Sequence, residues 1–196
     1  MIKHAFAAVL LLASASAFGA DVEPPADGAL NPAPAAPFNT YQRFELQPVA
    51  MGAPFAGQKG NEVALEKLQA NLDERAVPLL KEWNATAAGE EARTLRILPE
   101  IRYIRFITGG KRFFAGAFAG GSSIMVTVKI TDAATGAVVA EPDFYQHANA
   151  MGAAWSFGAT DKTMLIRISN MVTEYLRANY AQTVAVPISQ APDISN

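Results

Sequence analysis

Two stretches of the chain place apolar side chains at steps of three and four residues. In the first, Leu65, Leu68, Leu72, Ala76, Leu79, Leu80 and Trp83 line up as one stripe of an amphipathic helix. Asn61 stands ahead of that stripe as its cap, since its side chain can accept a bond from a free amide of the first turn. Pro78 lies inside it and predicts a kink or break near Val77, because proline removes one backbone bond and crowds the preceding turn. In the second stretch, Met164, Ile168, Met171, Val172, Tyr175, Leu176 and Tyr180 predict a helix that runs to about Ala181, capped by Thr160 or Asp161.

Elsewhere the period is two. Tyr41–Val49 reads as a strand with Phe44, Leu46 and Pro48 on one face. Thr94–Thr108 reads as a strand with Leu95, Ile97, Ile101 and Tyr103 pointing one way and Arg96, Glu100 and Arg102 the other. Pro99 and the shift in pattern after Tyr103 predict a bulge or an edge position there. Ser123–Thr131 alternates most cleanly, with Ile124, Val126, Val128 and Ile130 on one side. Asp132-Ala133-Ala134-Thr135-Gly136 is a tight turn in which Gly136 takes positive φ, and Val138–Gln146 is the returning strand of a hairpin. The order β-α-β-β-β-α predicts an α/β (α+β) fold. Its simplest form is a two-layer domain, with two amphipathic helices on one face of a mainly antiparallel four-stranded sheet.

The ends lack both periods. Met1–Ala20 has a basic start, an apolar run over Ala5–Phe18 and small residues before Asp21, the layout of a cleavable export signal. The 14-residue run is short for a bilayer span of about 20 residues. No cysteine follows the cut, where a lipid-modified signal needs one, so the expectation is a periplasmic or secreted protein with no lipid anchor and no span after cleavage. Residues 21–37 hold Pro24, Pro25, Pro32, Pro34 and Pro37 among alanines and read as an extended tether. Residues 182–196 hold Pro187 and Pro192 and are expected to fray. The single folded domain then spans residues 38–181.

Composition narrows the function classes. Of the 196 residues, 51% are hydrophobic and 17% charged, with a formal net charge of −2 and no cysteine. That is the make-up of a folded chain. It speaks against general nucleic-acid binding, which needs a positive field, and it excludes disulfides, thiolate metal sites and a cysteine nucleophile. Loss of the leader leaves 15 basic against 18 acidic residues and one histidine, His147. A histidine-based metal site needs more ligands than that, which leaves a carboxylate-only site around Asp132, Glu141 and Asp143 as the open alternative; no cofactor is expected.

Catalytic candidates are sparse. Ser122, Ser123 and Ser156 offer hydroxyls, but no Gly-x-Ser-x-Gly elbow surrounds them. Glu141 and Asp143 share a strand face near Asp132 and would suit acid–base work if their pKa values were split; the plainer reading is a solvated outer face. The charge distribution is more pronounced. Arg93–Arg112 holds six basic residues and one acid, and Asn61–Glu91 holds three basic and seven acidic residues. The run Thr108–Ser122 then combines Gly109, Gly110, Gly116, Gly120 and Gly121 with Phe113, Phe114 and Phe118. The candidate interaction residues are Arg102, Arg105, Lys111, Arg112, Phe113, Phe114, Gly116, Phe118 and Gly120. Aromatic side chains beside cations suit a partner chain or a headgroup layer, and Gly116 with Gly120 has the spacing at which helices touch. The run is too short for a membrane helix and lacks the Gly-Lys-Ser/Thr of a phosphate loop.

The run from Gly110 to Ser122, the strand Ile124–Ile130, the turn Thr131–Gly136 and Val138-Val-Ala-Glu-Pro142 together resemble an uncharacterised bacterial family of exported proteins and lipoproteins. The resemblance covers roughly residues 41–180, and the layout is more distantly similar to small α/β domains of envelope assembly lipoproteins. It implies bacterial origin and export, and transfers no catalytic residue. The absence of an anchor cysteine departs from the lipoproteins. The expectation is a non-enzymatic envelope protein that binds an envelope protein or an anionic envelope component. The alternatives are an envelope hydrolase and a protein that self-assembles or meets a membrane through its Gly-rich segment.

Overall fold

A computed structural model describes residues 23–85, 92–106, 121–148 and 159–190. In chain order these form β1 (Leu30–Asn31), a short 3-10 turn (Phe38–Thr40), β2 (Arg43–Leu46), β3 (Ala50–Met51), α1 (Lys59–Asn84), β4 (Thr94–Arg105), β5 (Ser122–Asp132), β6 (Val138–Ala140), β7 (Asp143–Ala148), α2 (Ala159–Ala178) and β8 (Val186–Pro187). The fold is α+β. Its main sheet has six strands instead of the expected four, in the order β2-β4-β5-β6, with β3 also on β4 and β7 also on β5.

Both helical stripes meet the sheet as read. Leu68, Leu72, Ala76, Leu80 and Trp83 of α1, and Met164, Leu165, Ile168, Met171, Val172, Tyr175 and Leu176 of α2, are buried in one core with Leu95, Ile97, Ile101, Ile124, Val126, Val128 and Ile130. The helix ends differ from expectation. α1 starts two residues before Asn61, whose amide donates to the Phe55 carbonyl at 3.0 Å, while Glu62 accepts the Gly57 N–H at 2.8 Å. The helix also runs unbroken through Pro78. Ala76 and Leu80 are buried on either side of it, and packing of this kind holds a helix whose local propensity is poor. α2 already includes Thr160 and Asp161, so neither caps it, and it stops at Ala178. Asn179 closes that end: Nδ2 donates to the Tyr175 carbonyl at 3.0 Å, and Oδ1 accepts the Val184 N–H at 2.7 Å. Tyr180, just past the helix, stacks on Trp83 with ring centroids 4.3 Å apart.

The stretch Tyr41–Val49 yields only β2, with β3 after it, and both run parallel to β4. The polypeptide returns from β3 to β4 through α1, and a helical crossover of this kind is what lets neighbouring strands run parallel. β4 is therefore interior and not an edge. Pro99 is tolerated because it falls between the end of β2, where Leu46 pairs with Ile97, and the start of β3, where Ala50 pairs with Glu100. No ladder bond is lost at that gap. The expected fault in β4 lies between Ile101 and Tyr103. It turns Tyr103 to the opposite face from Leu95, Ile97 and Ile101, where it pairs with Met125 and meets the Phe55 ring edge-on at 5.6 Å; Ile104 takes the core side. The returning strand Val138–Gln146 is likewise split into β6 and β7, and between them the Pro142 carbonyl accepts the Val128 N–H at 2.9 Å.

The largest departure is at the ends. β1 pairs antiparallel with β8, Leu30 opposite Pro187 and Asn31 opposite Val186. The Ala35 N–H donates to the Val139 carbonyl, the Tyr145 N–H to the Ile188 carbonyl, and the Ile188 N–H to the Ala29 carbonyl. The later part of the expected tether and residues 184–190 of the expected fraying tail are thus fastened to the sheet. Main-chain bonds do much of this work, and they leave no side-chain period to read.

Candidate functional site

The tight turn after β5 fixes the first candidate. Gly136 has φ +71°, and Asp132 Oδ1 accepts the amides of Ala134 and Thr135 at 2.9 and 3.2 Å. Its other oxygen takes a bond from Arg93 Nη2 at 2.8 Å. The Arg93 guanidinium lies 4.4 Å over the ring of Tyr41. Arg93 foremost, then the two turn amides, hold the Asp132 carboxyl at about 2 against the opposing effect of its burial. Burial pushes the Tyr41 hydroxyl up, Asp132 adds to that, and Arg93 opposes it. Asp132 is thus a carboxylate committed to a turn and an ion pair.

The other carboxylates are set apart from it. Glu141 is exposed between β6 and β7 instead of sharing a strand face with Asp143. Asp143 opens β7, and its carboxylate accepts the Thr127 hydroxyl. Register places Asp143 opposite Thr127 and His147 opposite Ser123. His147 is exposed and stacks on Tyr145, with centroids 6.0 Å apart. Burial pushes the Tyr145 hydroxyl up, an effect the neighbouring Ser123 hydroxyl opposes. Among the described residues no three His, Asp or Glu side chains gather as a metal site would require.

The basic segment separates into two pairs. Arg93 is tied to Asp132, and Arg96 Nε lies 3.8 Å from Glu45. Arg102 sits at the fault in β4, and Arg105 closes that strand opposite Ser123. Both are exposed, so the two arginines among the interaction candidates lie on the surface at the end of β4. Lys111, Arg112, Phe113, Phe114, Gly116, Phe118 and Gly120 lie outside the described residues, as does Ser156.

Two side chains that the sequence reading passed over do structural work at the sheet edges. Asn84, the last residue of α1, accepts the Phe44 N–H at 2.8 Å and donates to the Phe44 carbonyl at 3.0 Å. Asn31 does the same to Asp143, with both bonds at 2.8 Å. Each amide occupies one backbone position of an edge strand as a neighbouring strand would. Gln69 adds a single bond of this type, accepting the Val49 N–H at 2.7 Å.

No protein-family model matches the chain, and no curated protein matches it significantly. Several solved structures share its general layout. One is a PelC dodecamer from Paraburkholderia phytofirmans, at 13% identity and a TM-score of 0.41, covering 79% of this chain and 97% of that one. A second is protein XCC0632 of the DUF330 family from Xanthomonas campestris, at 12% identity and a TM-score of 0.42, covering 76% and 91%. A third is a minor lipoprotein from Acinetobacter baumannii, at 12% identity and a TM-score of 0.38, covering 74% and 99%. At these values the likeness is one of layout. Among the described residues no helix is long and apolar enough to cross a membrane.

Proposed function

We propose that the chain is an exported, non-enzymatic protein of the bacterial envelope. It binds an envelope protein or an anionic envelope component through the basic surface at the end of β4. The observation that carries this reading is the placement of two cations. Arg102 and Arg105 are both exposed at the strand end that leads into Lys111, Arg112 and the Phe-rich run. Exposed cations beside aromatic side chains attract acidic or headgroup-bearing surfaces. The amino-terminal leader, read as a cleavable signal, supports export.

The test is a photo-crosslinking residue placed at Arg102 or Arg105 in the exported protein in living cells. A discrete adduct is expected, and it should be lost when Lys111 and Arg112 are both replaced by Glu. Absence of any adduct from either position, or one indifferent to those replacements, rejects the reading. The hydrolytic alternative rests on the register that sets His147 opposite Ser123. It requires an activity on envelope substrates that His147→Ala abolishes.

A further inference from the structure

Residues 184–190 cover the outer edge of β7. The Ile188 carbonyl accepts the Tyr145 N–H at 2.8 Å, Ser189 bridges Tyr145 in parallel, and Gln146 Nε2 donates to the Gln190 carbonyl at 3.2 Å. On its other side the segment pairs with β1. None of residues 181–190 is buried, and Leu30 opposite Pro187 is 55% exposed. The segment is therefore held by a few hydrogen bonds and by Val186, a half-buried side chain packed against the core, which places it at the low-stability end of the molecule. Once it lifts, the Tyr145 N–H loses its partner on the β7 edge, beside Asp143, which Asn31 still holds, and an open edge position is a template for an extended strand from another chain.

The structure identifies the strand that fits. Tyr145, Gln146 and the β1 backbone already match the main chain of residues 186–190, and the same segment of a second copy makes the same bonds. The link to the core is short: Asn179 holds Val184 by its side chain, so the hinge is confined to residues 180–183. Short hinges of this kind favour exchange. We propose that the β7 edge is a self-association site and that two copies reciprocally exchange residues 184–190. The result is a closed two-fold dimer.

The lack of cysteine makes the test clean, because engineered thiols can pair only with each other. The antiparallel bond runs between Ala29 and Ile188, so Leu30 and Pro187 form the adjacent non-hydrogen-bonded pair. In such pairs the Cα atoms lie about 4.5 Å apart, a spacing within the disulfide range. Two full-length mature single variants, Leu30→Cys and Pro187→Cys, one of them mass-tagged, are mixed at high concentration and oxidised. The expected product is the mixed Leu30–Pro187 crosslink in preference to either homodimer. It should be lost when Ile188→Pro removes the donor to Ala29. A mixed product no more abundant than random collision gives overturns the proposal. So does a double variant that closes only within one chain at every concentration, with light scattering that finds the wild type monomeric throughout.

Discussion

At the β2 edge, Asn84 reaches up from the last turn of α1 and takes both backbone groups of Phe44. At the β7 edge, Asn31 comes from the amino-terminal segment and takes both backbone groups of Asp143. The bonds are alike in number and length, but the settings differ. Asn84 is half-buried on a long helix whose own stripe is packed in the core. Asn31 is 2% exposed, on a two-residue strand that has no packed stripe of its own. One amide finishes an edge already covered by a helix. The other holds in place the element that covers the edge. Matching hydrogen bonds therefore carry different weight, since an unpaired backbone group costs most where water cannot replace its partner.

The largest effect is expected from Asn31→Ala. It should cost about 2 to 4 kcal/mol in urea unfolding, with faster hydrogen exchange at the Tyr145 and Ile188 amides, because two main-chain groups lose their partner in a buried place. Asn84→Ala should cost about 1 kcal/mol, with water entering the place that the half-buried Asn84 side chain vacates. Equal costs at the two positions would show that burial is not what separates the edges.

The smallest effect concerns pH, and it belongs to the β2 side alone. Arg93 accepts the amides of Gln42 and Arg43 on its carbonyl and holds Asp132 by its side chain, so the approach to β2 is fastened to the β5–β6 turn by an ion pair. The Asp132 carboxyl lies near 2 when folded, below its ordinary 3.8. Its stabilisation is therefore complete above about pH 4 and lost as the pH falls toward 2. The urea midpoint of the wild type should exceed that of Asp132→Asn at pH 5, and the two should converge near pH 2. The margin should be modest, since Arg93 is half exposed to screening solvent. A margin that persists unchanged in acid would remove the ion pair from the account.

Much of this architecture is legible in the residues. The stripes of α1 and α2 and the alternation of β5 are side-chain periods, and burial follows them. The Asp132–Gly136 turn and the fault near Arg102 were also signalled, by turn chemistry and a slipped alternation. The slip's consequence for Tyr103 is not local, because only pairing with β5 shows which face it takes. The strands β1 and β8 are two residues long and sit among prolines and alanines, and their cohesion is main chain to main chain. Asn31 and Asn84 act on residues 112 and 40 positions away, a relation that no spacing rule contains. Of the candidate site, Arg102 and Arg105 stood out by charge and proved exposed. Asp132 reads with Glu141 and Asp143 as a carboxylate group, whereas its partner is Arg93, just ahead of the neighbouring strand β4.

The pairing of β1 with β8 has a geometric consequence. Leu30 and Pro187 face each other across one ribbon, so the chain path between them is almost a ring. Whatever is joined to either end meets the domain at the same place. An attachment there would turn the β7 side toward its anchor and leave the β2 side pointing away. A short bridge between the ends would also allow the chain to be reopened elsewhere with its order of strands intact.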